Sequence, residues 1–310
     1  MQTKATGAIP EIGSIRTYDY DVVCGSSTDT TYPKQFCLPR EVMGTLKNQG
    51  SIGACVAETI AAVAEELYRR RTGESVEMSE GQVYGGLRQS TERTPGMLVE
   101  QTLKLWMTMG VAPKSYLPEL FEMPEIKHWV AKFPDIWEIA KQNTIGSYVA
   151  LRGTAKNPRD LQIKDALTKY PYGLIAVSHD YFGGCHCITL VGWDDDKDTY
   201  TIKNSWGPTY GNEGIADIPK SAINAVYLVL ENEVKLPYTD LDENAWYFKS
   251  LKNVIAAGLM KGTSETTFEP NKTMTRAEVG VLIDRVLAEQ QKTTEHLLKM
   301  IAEREIKEQN

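Results

Sequence analysis

The chain has 310 residues, of which 42% are apolar and 24% charged, the balance of a water-soluble folded protein with length for two domains. A formal net charge of −7 excludes a broadly basic nucleic-acid surface. No run of about eighteen apolar residues offers a membrane span. Five cysteines (Cys24, Cys37, Cys55, Cys185 and Cys187) are too few for a disulfide scaffold, and the odd number leaves at least one unpaired in a monomer. Cys24 and Cys37 either close a small loop or remain thiols.

Taken in chain order, the first residues, MQTKATGAIPEIG, lack the apolar core of a signal peptide. Cytosolic residence, a removed leader and export by lysis or in a virus particle all remain open. Residues 1–40 are polar and turn-rich and read as an irregular segment packed on a domain. Gln49-Gly50-Ser51-Ile52-Gly53-Ala54-Cys55 follows, a glycine-shaped loop ending in a cysteine. Val56, Ile60, Val63 and Leu67 then repeat at helical spacing, to about Arg71, and Gly73 closes the pattern. Cys55 therefore sits at a helix N-terminus, where backbone N–H groups and the helix dipole favour a thiolate. A second helix is expected to start in Glu77-Met78-Ser79-Glu80. Val99, Leu103 and Trp106 share a helix face closed by Gly110. Residues 91–96 and the proline-rich 112–136 read as loops, the latter with short helices at most.

From about residue 147 the texture becomes strands: 148–151, 174–177, 187–193, 199–203 and 214–218. Asn157 reads as the N-cap, and Pro158 as the first residue, of an intervening helix to about Lys169. A helical half thus precedes a sheet half, a layout that sets a cleft between two lobes. The pattern restarts near 231–238. Trp246, Phe248, Leu251, Val254 and Ile255 suggest a helix ending at Gly258. Thr275 and Glu278 have capping-box spacing ahead of the stripe Val279, Leu282, Ile283, Val286, Leu287. Residues 289–310 form a charged, helix-prone tail.

A cysteine nucleophile needs a base and a group to orient it. Among four histidines, His186 opens a strand, and Asn204 lies eighteen residues on in Lys203-Asn204-Ser205-Trp206-Gly207. Adjacent strands would bring that imidazole and amide together. These segments resemble papain-like cysteine peptidases: Gln49 to Cys55 the nucleophile loop, His186 to Asp194 the histidine strand, and Asn204 to Gly214 the asparagine motif. The nucleophile loop is closest to the bacterial and phage branch. The resemblance implies an α+β fold of a helical lobe and a β-barrel-like sheet lobe over residues 1–235. It implies Cys55 as nucleophile, His186 as general base and then acid, and Asn204 as its orienter. Gln49 would supply an oxyanion donor beside the Cys55 backbone N–H. Trp206 would shield the His186–Asn204 bond and border the substrate cleft, and Gly96 would offer backbone bonds to an extended peptide. No cofactor or metal is implied, and the partner is a peptide or protein substrate.

The loop departs from the family in Ile52, where a disulfide cysteine is usual, in Val56 after the nucleophile, and in Cys185 before the histidine. With 48 residues ahead of Gln49, no long inhibitory propeptide is expected, and coverage of the cleft by residues 1–33 is the less favoured reading. Cys185-His186-Cys187 reads as core cysteines rather than a metal site, because its cysteines and histidine alternate faces. Asp194-Asp195-Asp196 and Asp198 read as a solvated hairpin turn rather than a calcium loop, for want of a bidentate glutamate at the needed spacing.

Tyr238, Asp240, Trp246, Gly258, Gly262, Thr267-Phe268, Pro270 and Thr275-Arg276-Ala277-Glu278 resemble one S-layer homology motif over about 236–289. The resemblance implies binding to bacterial secondary cell-wall polysaccharide, with Trp246, Lys261 and Arg276 as the glycan contacts, and a location at the cell surface, outside the cell or on a virion. Such motifs usually act in sets of three. A homotrimer, with the 290–310 tails associating, would complete one set. The alternative is a structural or wall-binding protein, perhaps of a phage particle, with a vestigial or self-processing peptidase. A helical packing unit that binds no glycan is the plainer reading of this module.

Overall fold

The computed structural model describes residues 6, 8–9, 18–24, 30–87, 96–117, 135–154, 157–231, 236, 238–256, 259–264, 266–284 and 286–287. The chain divides into two compact units. One comprises Met1–Glu11 and Gly25–Val234, the other Ile12–Cys24 and Lys235–Asn310.

In the larger unit the loop at Gln49 runs into α1, Cys55–Thr72, with Cys55 the first helical residue. Gly73 ends α1 at φ 80°, its N–H bonded to the Arg69 carbonyl, a left-handed cap that glycine adopts without a Cβ clash. The periodicity suggests one apolar stripe, yet every residue from Cys55 to Leu67 is buried. The many alanines let neighbouring elements approach from all sides, and the buried acids Glu65 and Glu66 have partners. Lys47 Nζ lies 2.5 Å from Glu65 and 2.6 Å from Glu80, Lys114 lies 3.2 Å from Glu80, and Glu66 pairs with Arg69 at 2.6 Å. Helix α2, Glu80–Gly86, is capped by Ser79, whose Oγ accepts from the Gln82 N–H at 3.0 Å. Helix α3, Val99–Met109, buries Val99, Leu103 and Trp106 as the spacing predicts, and Gly110 closes it at φ 74°. Residues 91–95 of the loop expected at 91–96, and residues 118–134 of the proline-rich stretch 112–136, lie outside the described residues.

The sheet half contains β1 (Gln35–Cys37), β2 (Ser147–Ala150), β3 (Leu174–Ser178), β4 (His186–Asp194), β5 (Thr199–Lys203), β6 (Ile215–Pro219) and β7 (Ala225–Leu230). They pair antiparallel in the order β2-β7-β3-β4-β5-β6, with β1 along the end of β4. The five expected strands fall within one residue of those observed. Strands β1 and β7 are additions. Strand β7 reads Ala-Val-Tyr-Leu-Val-Leu, a continuous apolar run buried between β2 and β3. Helix α4 is Arg159–Lys169, and here the expectation shifts by one residue. Pro158 is extended (φ −54°, ψ 150°) and is itself the cap, its carbonyl accepting from Leu161 and Gln162, so Asn157 is not the N-cap.

No disulfide joins the five cysteines, all of which are described, so Cys24 and Cys37 do not close a loop. The acidic run is the β4–β5 turn. Asp194 Oδ1 accepts from the Asp196 and Lys197 N–H groups, and Asp195 pairs with Lys164 and Lys220.

In the smaller unit, Asp240 accepts from the backbone N–H groups of Phe268 and Glu269 at 2.8 and 2.6 Å. The Tyr238 hydroxyl accepts from Gly262 N–H, and its ring meets buried Phe268 at 5.3 Å. Helix α5, Phe248–Ala256, starts after Trp246 rather than including it, and Trp246 is 93% exposed. Gly258, expected to end this helix, is outside the described residues. The capping box forms: Glu278 Oε2 accepts from Thr275 N–H at 2.7 Å, and Thr275 Oγ1 accepts from Glu278 N–H at 3.2 Å. Residues 276–284 and 286–287 are helical. Their stripe is not buried as its spacing suggests, since Val279, Ile283 and Leu287 are exposed. The tail from 288 lies outside the described residues.

Candidate active site

Cys55 and His186 are both fully buried, one at the start of α1 and the other at the start of β4. The Cys187 N–H donates to Cys55 Sγ at 3.4 Å, which seats the sulfur against the first residues of β4. His186 Nε2 lies 2.7 Å from Asn204 Oδ1. A carbonyl oxygen only accepts, so Nε2 carries the proton and Nδ1 keeps its lone pair. Nδ1 is buried without a hydrogen-bond partner. Burial pushes the imidazole down to about 4, with the Asn204 bond opposing, so an isolated His186 is a neutral base at physiological pH.

Asn204 is held from both sides. Its N–H donates to the Gly214 carbonyl at 2.8 Å, and its Oδ1 also accepts from Ser205 N–H at 2.8 Å. Trp206 stacks on the imidazole, with ring centroids 4.8 Å apart and planes at 29°. Phe182 meets His186 edge-on at 4.9 Å and Trp206 at 5.4 Å. Aromatic surfaces thus cover the imidazole, and water has little access to its bond with Asn204.

Gln49 is buried, and its amide orientation is set by chemistry. Its Oε1 accepts from the Ser205 hydroxyl at 2.6 Å and its Nε2 donates to the Ile52 carbonyl at 2.8 Å. An amide nitrogen carries two N–H groups, so the Ile52 bond does not exhaust it. The Gln49 backbone N–H donates to the Ser205 carbonyl at 2.9 Å, which ties the nucleophile loop to the asparagine motif. Beneath lies the Lys47–Glu65–Glu80 cluster, and the Lys47 carbonyl accepts from Gly207 N–H at 3.0 Å.

The structure therefore brings together Cys55, His186, Asn204, Gln49 and Trp206. Gly96 is buried at φ 131° and leads into the short strand Met97–Leu98. In the smaller unit, Lys261 lines a groove of about 470 Å³ with Phe268, Met274 and Leu282, whereas exposed Trp246 and Arg276 are not part of its lining. Two contributors had escaped the sequence reading. Ser205 sits inside the asparagine motif, but its bond to Gln49 spans 156 residues. Phe182 lies in a glycine-flanked loop where no periodicity marks it. Among the described residues no group of histidine, cysteine or acidic side chains is arranged for a metal, and Cys187 is a buried thiol pushed up by its burial.

A helix-start cysteine seated against the first residues of the strand that carries a histidine–asparagine pair is the arrangement of a thiol-peptidase class of site. The sequence pattern of the papain family cysteine proteases matches residues 33–237, and the chain belongs to that family. The S-layer homology domain pattern matches residues 237–279. Cysteine protease Amb a 11.0101 of Ambrosia artemisiifolia is 27% identical over 189 residues, 57% of this chain and 47% of that protein. The chain thus spans about half the length of that relative. The Surface-layer 125 kDa protein of Lysinibacillus sphaericus is 36% identical over 58 residues, 18% of this chain and 5% of that protein. Among solved structures, xylellain, a cysteine protease from Xylella fastidiosa, shares the fold with a TM-score of 0.60 at 19% identity, covering 75% of this chain and 97% of that one. The larger unit has the papain-like α+β fold.

Proposed function

We propose that the chain is a cysteine endopeptidase that hydrolyses peptide bonds through a thioester, with Cys55, His186, Asn204 and Gln49 as its machinery. The observation that carries this reading is the buried, unpartnered Nδ1 of His186, whose other nitrogen lies against Asn204, on the strand whose Cys187 N–H donates to the sulfur of the helix-start Cys55. The Cys55 thiol gives its proton to Nδ1, and the thiolate attacks the peptide carbonyl carbon. Burial disfavours a lone imidazolium, so this proton moves as part of a thiolate–imidazolium pair, with the α1 N-terminus favouring the sulfur charge. The carbonyl oxygen, now an oxyanion, receives N–H bonds from the Gln49 side chain and the Cys55 backbone. The C–N bond breaks, the imidazolium protonates the departing amine, and a thioester remains. Water, deprotonated by Nδ1, then attacks the thioester, releasing the carboxylic acid and restoring the thiol. Trp206 keeps water from the His186–Asn204 bond and borders the cleft, and Gly96 offers its backbone to an extended peptide. A peptidyl epoxide is expected to alkylate Cys55 in wild type and to leave His186→Ala unlabelled. A reduced, folded wild type that resists the reagent contradicts this function.

We further propose that the smaller unit holds the chain on bacterial cell-wall polysaccharide through Trp246, Lys261 and Arg276. The S-layer homology match and the likeness to a surface-layer protein support this reading. The single motif and the exposed stripe of residues 279–287 support trimerisation, which would join three motifs into one binding unit. Sedimentation onto purified cell walls is expected for wild type and lost in the triple variant Trp246→Ala, Lys261→Ala, Arg276→Ala. Equal sedimentation of the two rejects the anchoring role.

A further inference from the structure

The Cys185-His186-Cys187 stretch sets a further thiol beside the nucleophile, and the reaction above gives it no task. The Cys187 N–H reaches Cys55 Sγ at 3.4 Å. The Cys187 Cα is one bond of about 1.46 Å further on, so it lies within about 5 Å of that sulfur. The Cys187 thiol is hydrogen-bonded to the side chain of Thr59. Thr59 follows Cys55 by four residues on α1, so the two share one helix face. Cys187 therefore lies against the face of α1 that carries Cys55, and both cysteines are fully buried. Such proximity suits a disulfide, which holds its Cα atoms about 4.4–6.8 Å apart. Burial, reinforced by charge on Cys55, holds the Cys187 thiol well above the ordinary cysteine range, and the Thr59 bond opposes this only in part. While Cys55 is a thiolate, Cys187 stays protonated and unreactive.

We propose that Cys187 is a resolving thiol, which captures an oxidised Cys55 as a disulfide and so makes inactivation by hydroperoxides reversible. This rests on the reactive Cys55 of the peptidase reading above. The Cys55 thiolate attacks one oxygen of a hydroperoxide and the O–O bond breaks. The other oxygen takes a proton and leaves as an alcohol, or as water from hydrogen peroxide, and Cys55 becomes a sulfenic acid. Its sulfur is now uncharged and electrophilic. The Cys187 sulfur attacks it, the S–O bond breaks, and the hydroxide leaves as water with the Cys187 proton. One hydroperoxide has been reduced by two electrons, and two thiols have been oxidised to one disulfide. An external dithiol restores both thiols by exchange. Without Cys187, further hydroperoxide carries Cys55 on to sulfinic and sulfonic acids, which a dithiol does not reverse.

The test treats the reduced, full-length chain with hydrogen peroxide. Non-reducing peptide mapping of wild type, which needs no variant, is expected to show Cys55 linked to Cys187. Dithiothreitol should then recover about tenfold more labelling of Cys55 by a peptidyl epoxide in wild type than in Cys187→Ala, which keeps the backbone N–H but lacks the thiol. Cys187→Ser, closer in shape, should fail to recover in the same way. Equal recovery in wild type and both variants overturns the proposal, as does a map with Cys55 linked to Cys185 or to no cysteine. A Cys55–Cys187 link in a protein that neither cleaves nor labels would instead reject the peptidase reading and leave the thiol pair standing.

Discussion

Two helical stretches with apolar residues at helical spacing, one in each unit, meet opposite fates. Helix α1 is buried on every side from Cys55 to Leu67, acids included. The helical residues 276–284 and 286–287 carry a regular stripe behind a formed capping box, yet Val279, Ile283 and Leu287 remain exposed, Ile283 by 53%. Spacing states which face seeks burial, not what covers it. In the larger unit the chain covers α1 itself and can hold a thiol and an imidazole away from water. In the smaller unit the cover is not supplied by the described residues, which fits an association surface and a role in holding rather than reacting.

The contrast can be broken by substitution. On the catalytic side, Cys55→Ala is expected to lower kcat by roughly 10⁶-fold, the scale of removing a nucleophile, and Gln49→Ala by about 10²–10³ for one oxyanion donor. Steady-state kinetics on a cleaved peptide reads both. On the stability side, Lys47→Met leaves Glu65 and Glu80 buried without their shared lysine, a loss of about 3–5 kcal/mol by denaturant unfolding. Ile60→Ala in α1 should cost about 2–5 kcal/mol. Ile283→Ala should change monomer stability by less than about 0.5 kcal/mol and instead shift light scattering toward monomer. A large loss from Ile283→Ala in a monomer would erase the contrast.

A pH-dependent effect concerns Glu58, 2% exposed on the first turn of α1. Burial, reinforced by Glu80 and Glu65, raises its carboxyl to about 8 against an ordinary 4.5. The folded state therefore keeps a proton that the unfolded chain has lost. Stability from this group is complete below about 4.5 and is lost as pH rises toward 8. Glu58→Gln should gain on wild type progressively across that window, as thermal unfolding at pH 5 and pH 8 would show. His186 acts oppositely. Its folded pKa of about 4 lies below the ordinary 6.5, so stability is lost as pH falls between those values.

Much of the larger unit was legible in the sequence because its signals are local. Gly73, Ser79 and Gly110 mark helix ends, and alternating or apolar runs mark most strands. The site was legible because its loop, strand and asparagine segments carry their chemistry in contiguous residues. Strand β7 was missed although its apolar run is of the kind that marked β3. Ser205 escaped because its bond to Gln49 joins distant segments, and Phe182 because no periodicity marks its loop. The Asn157 shift came from Pro158, whose extended ψ makes it the cap instead of the first helical residue.

The most direct test of the central claim is cleavage of a peptide library by wild type and by Cys55→Ala under reducing conditions. Discrete cleavage by wild type, abolished in the variant, is the predicted result. Equal cleavage by both, or none by a folded, reduced wild type, would contradict it.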